Sequence, residues 1–149
     1  MMIFSYWAWF GTIYLIFLLV QDLMKQEVDD RFNWFMKGIT FSMISHTQSL
    51  NIFFYLPFIL IVMWGIEKYF KKTKFISDGD GSAISWIVTG IAIINPYYII
   101  MFLVAAIATS LVWISTIRVF KMHQLKYTPF YPVITGSFFV TCIWYGLYI

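Results

Sequence analysis

The sequence predicts an all-α, polytopic integral membrane protein. It has about six transmembrane helices, both termini outside, and one membrane-embedded domain over residues 1–149. Three observations lead there. The chain is 61% hydrophobic and 11% charged, with a mean hydropathy of +0.78, whereas soluble domains carry roughly 25% charged residues. Its charges fall into three clusters, at 22–37, 67–80 and 118–126, which leave uncharged stretches at 1–21, 38–66, 81–117 and 127–149. All ten Lys and Arg then lie on one side of a six-helix plan. Lipid is the main solvent of such a chain, which excludes a soluble enzyme or a disordered chain. A net charge of +3 is too small to argue for nucleic acid.

A membrane-spanning helix needs about 20 apolar residues. The first uncharged stretch holds one, over 3–21. It has no basic n-region or small-residue cleavage site, so a cleaved signal peptide is not expected. The second stretch is long enough for two helices, 34–48 and 52–69, parted by the polar run His46-Thr47-Gln48-Ser49-Leu50-Asn51. The third also divides, into 82–95 and 97–119, because Asn95-Pro96 favours a turn and disfavours helix at Asn95. The last stretch holds a helix over 130–148. Loops 1–2, 3–4 and 5–6 then carry or adjoin Lys25, Arg31, Lys37, Lys68, Lys71, Lys72, Lys74, Arg118, Lys121 and Lys126. By the positive-inside rule that side is cytoplasmic. Five or seven helices would split the distribution. Asp22, Glu27, Asp29, Asp30, Glu67, Asp78 and Asp80 share the same side.

Two of these acids stand at helix edges. Asp22 ends the first apolar run, and Asp80 precedes the fourth helix within Ser77-Asp78-Gly79-Asp80-Gly81. Alone, Asp80 reads as a helix N-cap and Asp22 as a stop at the lipid interface. As a pair they allow acid–base chemistry. Two neighbouring carboxylates resist double ionisation and share a proton. One can then activate water while the other polarises a peptide carbonyl. That chemistry needs no metal and no cofactor. Gly79 and Gly81 would permit unusual backbone angles and close substrate approach. Spacing alone does not bring Asp22 and Asp80 together.

Three segments resemble the type IV prepilin peptidase family, which includes the archaeal preflagellin peptidases. Asp22, five further residues, then Val28, Asp29 and Asp30 are similar to the family's Asp, five variable residues, Ile/Val, often Pro, then Asn or Asp. Ser77-Asp78-Gly79-Asp80 is similar to its GxGD motif, which an apolar helix follows. Pro129-Phe130-Tyr131-Pro132 is close to its Pro-Phe-x-Pro stretch at the start of the last core helix. The resemblance implies a membrane aspartic endopeptidase with Asp22 and Asp80 as the catalytic pair. It implies a substrate class too: pilin-like or archaellin precursors, whose short basic leader is cut at the cytoplasmic face of a prokaryotic plasma membrane.

The departures are Ser77 for the first Gly, Asp29 for the Pro, and Ser82 for a Lys often found two residues after the catalytic Asp. Larger bacterial members add a Cys-x-x-Cys domain and methylate the mature N-terminus. With Cys142 as the one cysteine, peptidase activity without methyltransferase activity is expected.

Asp78 competes with Asp80, which is preferred for its alignment with GxGD and its place against the helix. Glu27, Asp29 and Asp30 read most simply as a solvated loop, with attraction of a basic leader as their functional alternative. Lys71, Lys72 and Lys74 read as topology anchors beside anionic lipid. His46 and His123 have no ligand partners at useful spacing, so no zinc site is expected. One alternative from another class is a small non-enzymatic membrane protein, such as a transporter subunit or assembly factor. Such proteins use polar groups near the midplane, and no charged residue lies there. Another is a presenilin or signal-peptide-peptidase type of protease. Those share GxGD but carry Tyr-Asp within a helix, and here Gln21 precedes Asp22.

Overall fold

A computed structural model describes residues 2–25, 30–47, 61, 62, 64–66, 68, 69, 72, 78–120 and 130–149. Its regular elements are α-helices, with no strand among the described residues: α1 (Met2–Lys25), α2 (Asp30–Thr47), α3 (Asp78–Ile94), α4 (Tyr98–Val119) and α5 (Tyr131–Trp144). The described residues between 61 and 72 are helical as well, and most of the helix expected over 52–69 lies outside the described residues. Two helices are long and apolar enough to cross a membrane, α1 over Met2–Met24 and α4 over Tyr98–Val119.

Helix ends differ from the sequence expectation where charge had been taken as a boundary. α1 continues through Asp22 to Lys25, because Leu23, Met24 and Lys25 are good helix formers and nothing after Asp22 stops the winding. α2 begins at Asp30 rather than 34, where an acid in the first turn suits the helix dipole. α3 begins at Asp78 rather than 82, so the Gly-Asp-Gly sequence forms its first turn. Gly79 and Gly81 are therefore helical, and the unusual backbone angles expected of them are not used.

The Asn95-Pro96 break is a compact turn. Asn95 Oδ1 accepts the Tyr97 N–H at 3.0 Å, and the Asn95 carbonyl accepts the Tyr98 N–H at 3.0 Å, an Asx-type turn. α5 stops at Trp144, short of 148. Gly146 takes φ +62°, Leu147 N–H bonds the Cys142 carbonyl at 2.8 Å, and Gly146 N–H bonds the Ile143 carbonyl at 3.0 Å. These two bonds form a Schellman cap. Leu147 turns into the core, while Tyr148 is held by the Thr12 hydroxyl and by Trp9, whose Nε1 donates to its carbonyl.

α1 runs antiparallel to α2, α3 and α5. Trp7 meets Thr40 while Phe17 meets Phe32; Trp7 meets Gly90 while Gly11 meets Trp86; Gly11 meets Phe138 while Asp22 meets Tyr131. α4 is antiparallel to α5, since Tyr98 stacks on Tyr145 and Thr109 bonds Ser137. The C-termini of α1 and α4 therefore share one end of the bundle with the N-termini of α2, α3 and α5. Asp22, Arg31, Asp80 and Arg118 lie towards that end. Among the described residues the opposite end, with 2–12, 40–47, 88–102 and 141–149, carries no charged side chain.

The core centres on Trp7, Trp86 and Phe138. Their ring centroids lie 5.3–6.0 Å apart at interplanar angles of 68–84°, the edge-to-face geometry aromatic pairs prefer. Glycines make room for them: a β-carbon at Gly90 would overlap the Trp7 ring, and one at Gly11 would lie 2.9 Å from Phe138. Gly38, by contrast, has open space around it. Gly90→Ala is expected to destabilise the fold by about 1–3 kcal/mol through overpacking, whereas Gly38→Ala stabilises it by about 0.5–1 kcal/mol through helix propensity. Unfolding of both variants in detergent micelles, monitored by circular dichroism, reads the opposite signs.

Candidate functional site

Asp22 sits three residues before the end of α1, half-buried. Its Oδ2 accepts the backbone N–H of Tyr131 at 3.4 Å. Tyr131 is the first residue of α5, whose N-cap position, Phe130, supplies no side-chain cap. A helix N-terminus leaves backbone N–H groups without intrahelical partners, and Pro132 has none to donate. Asp22 thus caps α5 from another helix, where the dipole favours a carboxylate. The first and third of the motif segments meet at this bond.

Asp80 is in the first turn of α3 and is 5% exposed. The pairs Trp7–Gly90 and Gly11–Trp86 set the register between α1 and α3. Four residues up one helix match four residues down the other. Continued along straight helices, that register puts the backbone of Asp80 near the level of Phe17 and Leu18, about 6–8 Å along the bundle axis from the backbone of Asp22 at 1.5 Å per residue. Both carboxylates therefore lie toward the same end of the bundle, Asp22 nearer its rim and Asp80 deeper.

A buried polar bridge joins their surroundings. The Asn33 side chain on α2 donates from Nδ2 to the Tyr131 hydroxyl at 3.1 Å, and its Oδ1 accepts the Trp86 Nε1–H at 3.2 Å. Asn33, Tyr131 and Trp86 are all fully buried. One residue of α2 thus ties α5 to α3. Sequence reasoning passed over Asn33; the available signal was an amide three residues before Met36 and seven before Thr40 on the face of α2 that is buried, where an amide is expensive unless paired. Below Asp80, α3 presents Ser82, Ser85 and Thr89, all buried. Ser85 and Thr89 return their hydroxyls to the helix's own carbonyls, at 2.9 and 2.7 Å. Ser82 Oγ is buried with no hydrogen-bond partner, a place where a polar guest is favoured.

The other residues singled out fare differently. Gly81 is buried beside Asp80. Asp30 opens α2 and Asp78 opens α3. Glu27, Asp29, Ser77 and Pro129 lie outside the described residues, as do Lys71, Lys74 and His123. Lys72 is exposed. Lys37 and Lys68 each rest an ammonium 4.5 Å above a tryptophan ring, Trp34 and Trp64, an attractive cation–π arrangement. No group of three or more His, Cys, Asp or Glu positioned for a metal occurs among the described residues. Compared with protein-family models, curated proteins and solved structures, the chain matches none.

The capping bond predicts how Asp22 tolerates change. Asn caps a helix about as well as Asp, whereas Ala does not. Asp22→Asn is expected to leave thermal stability in micelles within about 0.5 kcal/mol of the parent, and Asp22→Ala to cost about 0.5–2 kcal/mol. Equal losses in both would mean that the cap contributes nothing.

Proposed function

We propose that the protein is a membrane aspartic endopeptidase that removes the short basic leader of pilin-like or archaellin precursors. Asp22 and Asp80 form its catalytic pair. The observation that carries this reading is the bond between Asp22 and the first residue of α5, at the end of the bundle where Asp80 is buried in α3. Two of the three segments that resemble family motifs meet at that bond, and Asp80, from the remaining one, lies toward the same end of the bundle. One carboxylate takes a proton from water as the water oxygen attacks the scissile carbonyl carbon. The other, protonated, hydrogen-bonds the carbonyl oxygen, and the tetrahedral intermediate collapses with proton transfer to the leaving nitrogen. The products are a leader with a new carboxylate and a mature protein with a new amine.

Six spans, with both termini outside and the charged end in the cytoplasm of a prokaryotic cell, complete the reading. The one-ended distribution of charge supports it, as does α4, on which only Phe102 and Ala105 are buried. Its exposed face carries Ile100, Leu103, Val104, Ile107, Leu111 and Val112, a surface suited to lipid. α3 and α5 have 17 and 14 residues, about 25 and 21 Å at 1.5 Å per residue, short of a hydrocarbon core about 30 Å thick. A locally thinned bilayer accommodates such helices and lets water approach the charged end. Glu27, Asp29 and Asp30 then offer negative charge to a basic leader.

The capping bond also favours a second reading, in which Asp22 is purely structural and the chain is a non-enzymatic membrane protein. Cleavage separates the two. With a purified precursor, Asp22→Asn and Asp80→Asn are each expected to lose about 10²–10⁴-fold in kcat, the range of acid–base contributions; parent-like cleavage by both sinks the dyad. Orientation is read separately in spheroplasts with a membrane-impermeant maleimide. Tyr97→Cys should label in intact spheroplasts and Lys72→Cys only after permeabilisation. The reverse pattern overturns the topology.

A further inference from the structure

We infer that Tyr131 and Asn33 are positioning residues that set Asp22 and Asp80 at a working separation, an inference resting on the peptidase reading above. Asp22 Oδ2 is held by the Tyr131 backbone N–H. The ring of the same residue crosses the interior, and its hydroxyl receives the Asn33 Nδ2–H. Asn33 Oδ1 receives the Trp86 Nε1–H, and Trp86 stands six residues beyond Asp80 in α3. Tyr131 is thus the residue whose backbone touches one aspartate and whose side chain is tethered to the helix bearing the other.

The surroundings make the tether stiff. Asn33, Tyr131 and Trp86 have no measurable exposure, so water does not compete for their polar groups. Trp86 is fixed against Trp7 and Phe138 at 6.0 and 5.7 Å. Asp22 is fixed to α5 and Asp80 is carried by α3, so how the two groups are placed depends on how α5 and α3 are set against each other. Catalysis by a carboxylate pair is sensitive to that setting: a displacement near 1 Å can cost about 100-fold.

Tyr131→Phe removes the hydroxyl and keeps the ring. Asn33→Leu breaks the tether from the other side and serves if the first variant folds poorly. With a precursor as substrate, either change is expected to lower kcat about 10–100-fold with KM within twofold, because neither residue is assigned contact with the leader. Pulsed electron resonance between spin labels on Met24→Cys and Ile84→Cys, beside the two aspartates, reads the separation without any assay of activity. A broadened or shifted distance distribution in both variants, with the kcat loss, is the expected result. An unchanged distribution overturns the inference whatever the activity does, and so does an unchanged kcat in a variant whose distribution has moved. If the parent protein cleaves no precursor, the peptidase reading falls while the distances still decide whether the tether sets the separation.

Discussion

A buried polar group in this bundle has almost nowhere to turn except to another buried polar group, and the architecture follows from that constraint. Water is absent from an apolar interior, and an unpaired amide, hydroxyl or indole N–H is costly there. Trp7 on α1 therefore donates to Thr40 on α2, Trp86 on α3 donates to Asn33 on α2, and Asn33 donates to Tyr131 on α5. These few bonds choose one mutual arrangement from many that hydrophobic packing alone would allow. The remaining Ser and Thr hydroxyls mostly turn back onto their own helices, as Thr89, Ser110 and Thr141 do. α2 thus joins α1, α3 and α5 through side-chain bonds, although its outer face exposes Arg31, Trp34 and Phe35.

Under the proposed peptidase activity, the same constraint would give Asp22 two roles that reinforce each other. Its carboxylate satisfies the N-terminus of α5, which has no cap of its own, and α5 in return holds that carboxylate at a fixed depth. Stability and the proposed catalysis would then draw on one bond but on different properties of it. Capping needs only an oxygen acceptor, whereas acid–base chemistry needs an ionisable one. Asp80 differs, since it is almost fully enclosed. Two carboxylates in such unequal settings suit a pair that must divide one proton between them.

Much of the helix order was legible in the sequence because charge and Pro mark where an apolar helix can end. The Asn95-Pro96 turn and the helix from Tyr98 to Val119 fall where expected. Boundaries drawn from charge alone were misplaced, since a charged residue can stay helical at the end of an apolar helix, as Asp22 and Asp80 do. The end of α5 was set by the left-handed backbone of Gly146, a local preference invisible to hydropathy. Asp22 and Asp80 stood out as acids beside apolar runs. Asn33 did not, because its significance depends on Tyr131, 98 residues away in sequence, and on Trp86. Spacing reveals which residue types are present, and only the packing of helices reveals which of them meet.

The central claim is that Asp22 and Asp80 work on the same peptide bond as one unit. A double-mutant cycle on kcat/KM for precursor cleavage tests it most directly, using Asp22→Asn, Asp80→Asn and the two combined. Residues that act together are strongly non-additive, so the account predicts that the double variant is no slower than the slower single variant. Losses that multiply across the two substitutions would contradict it.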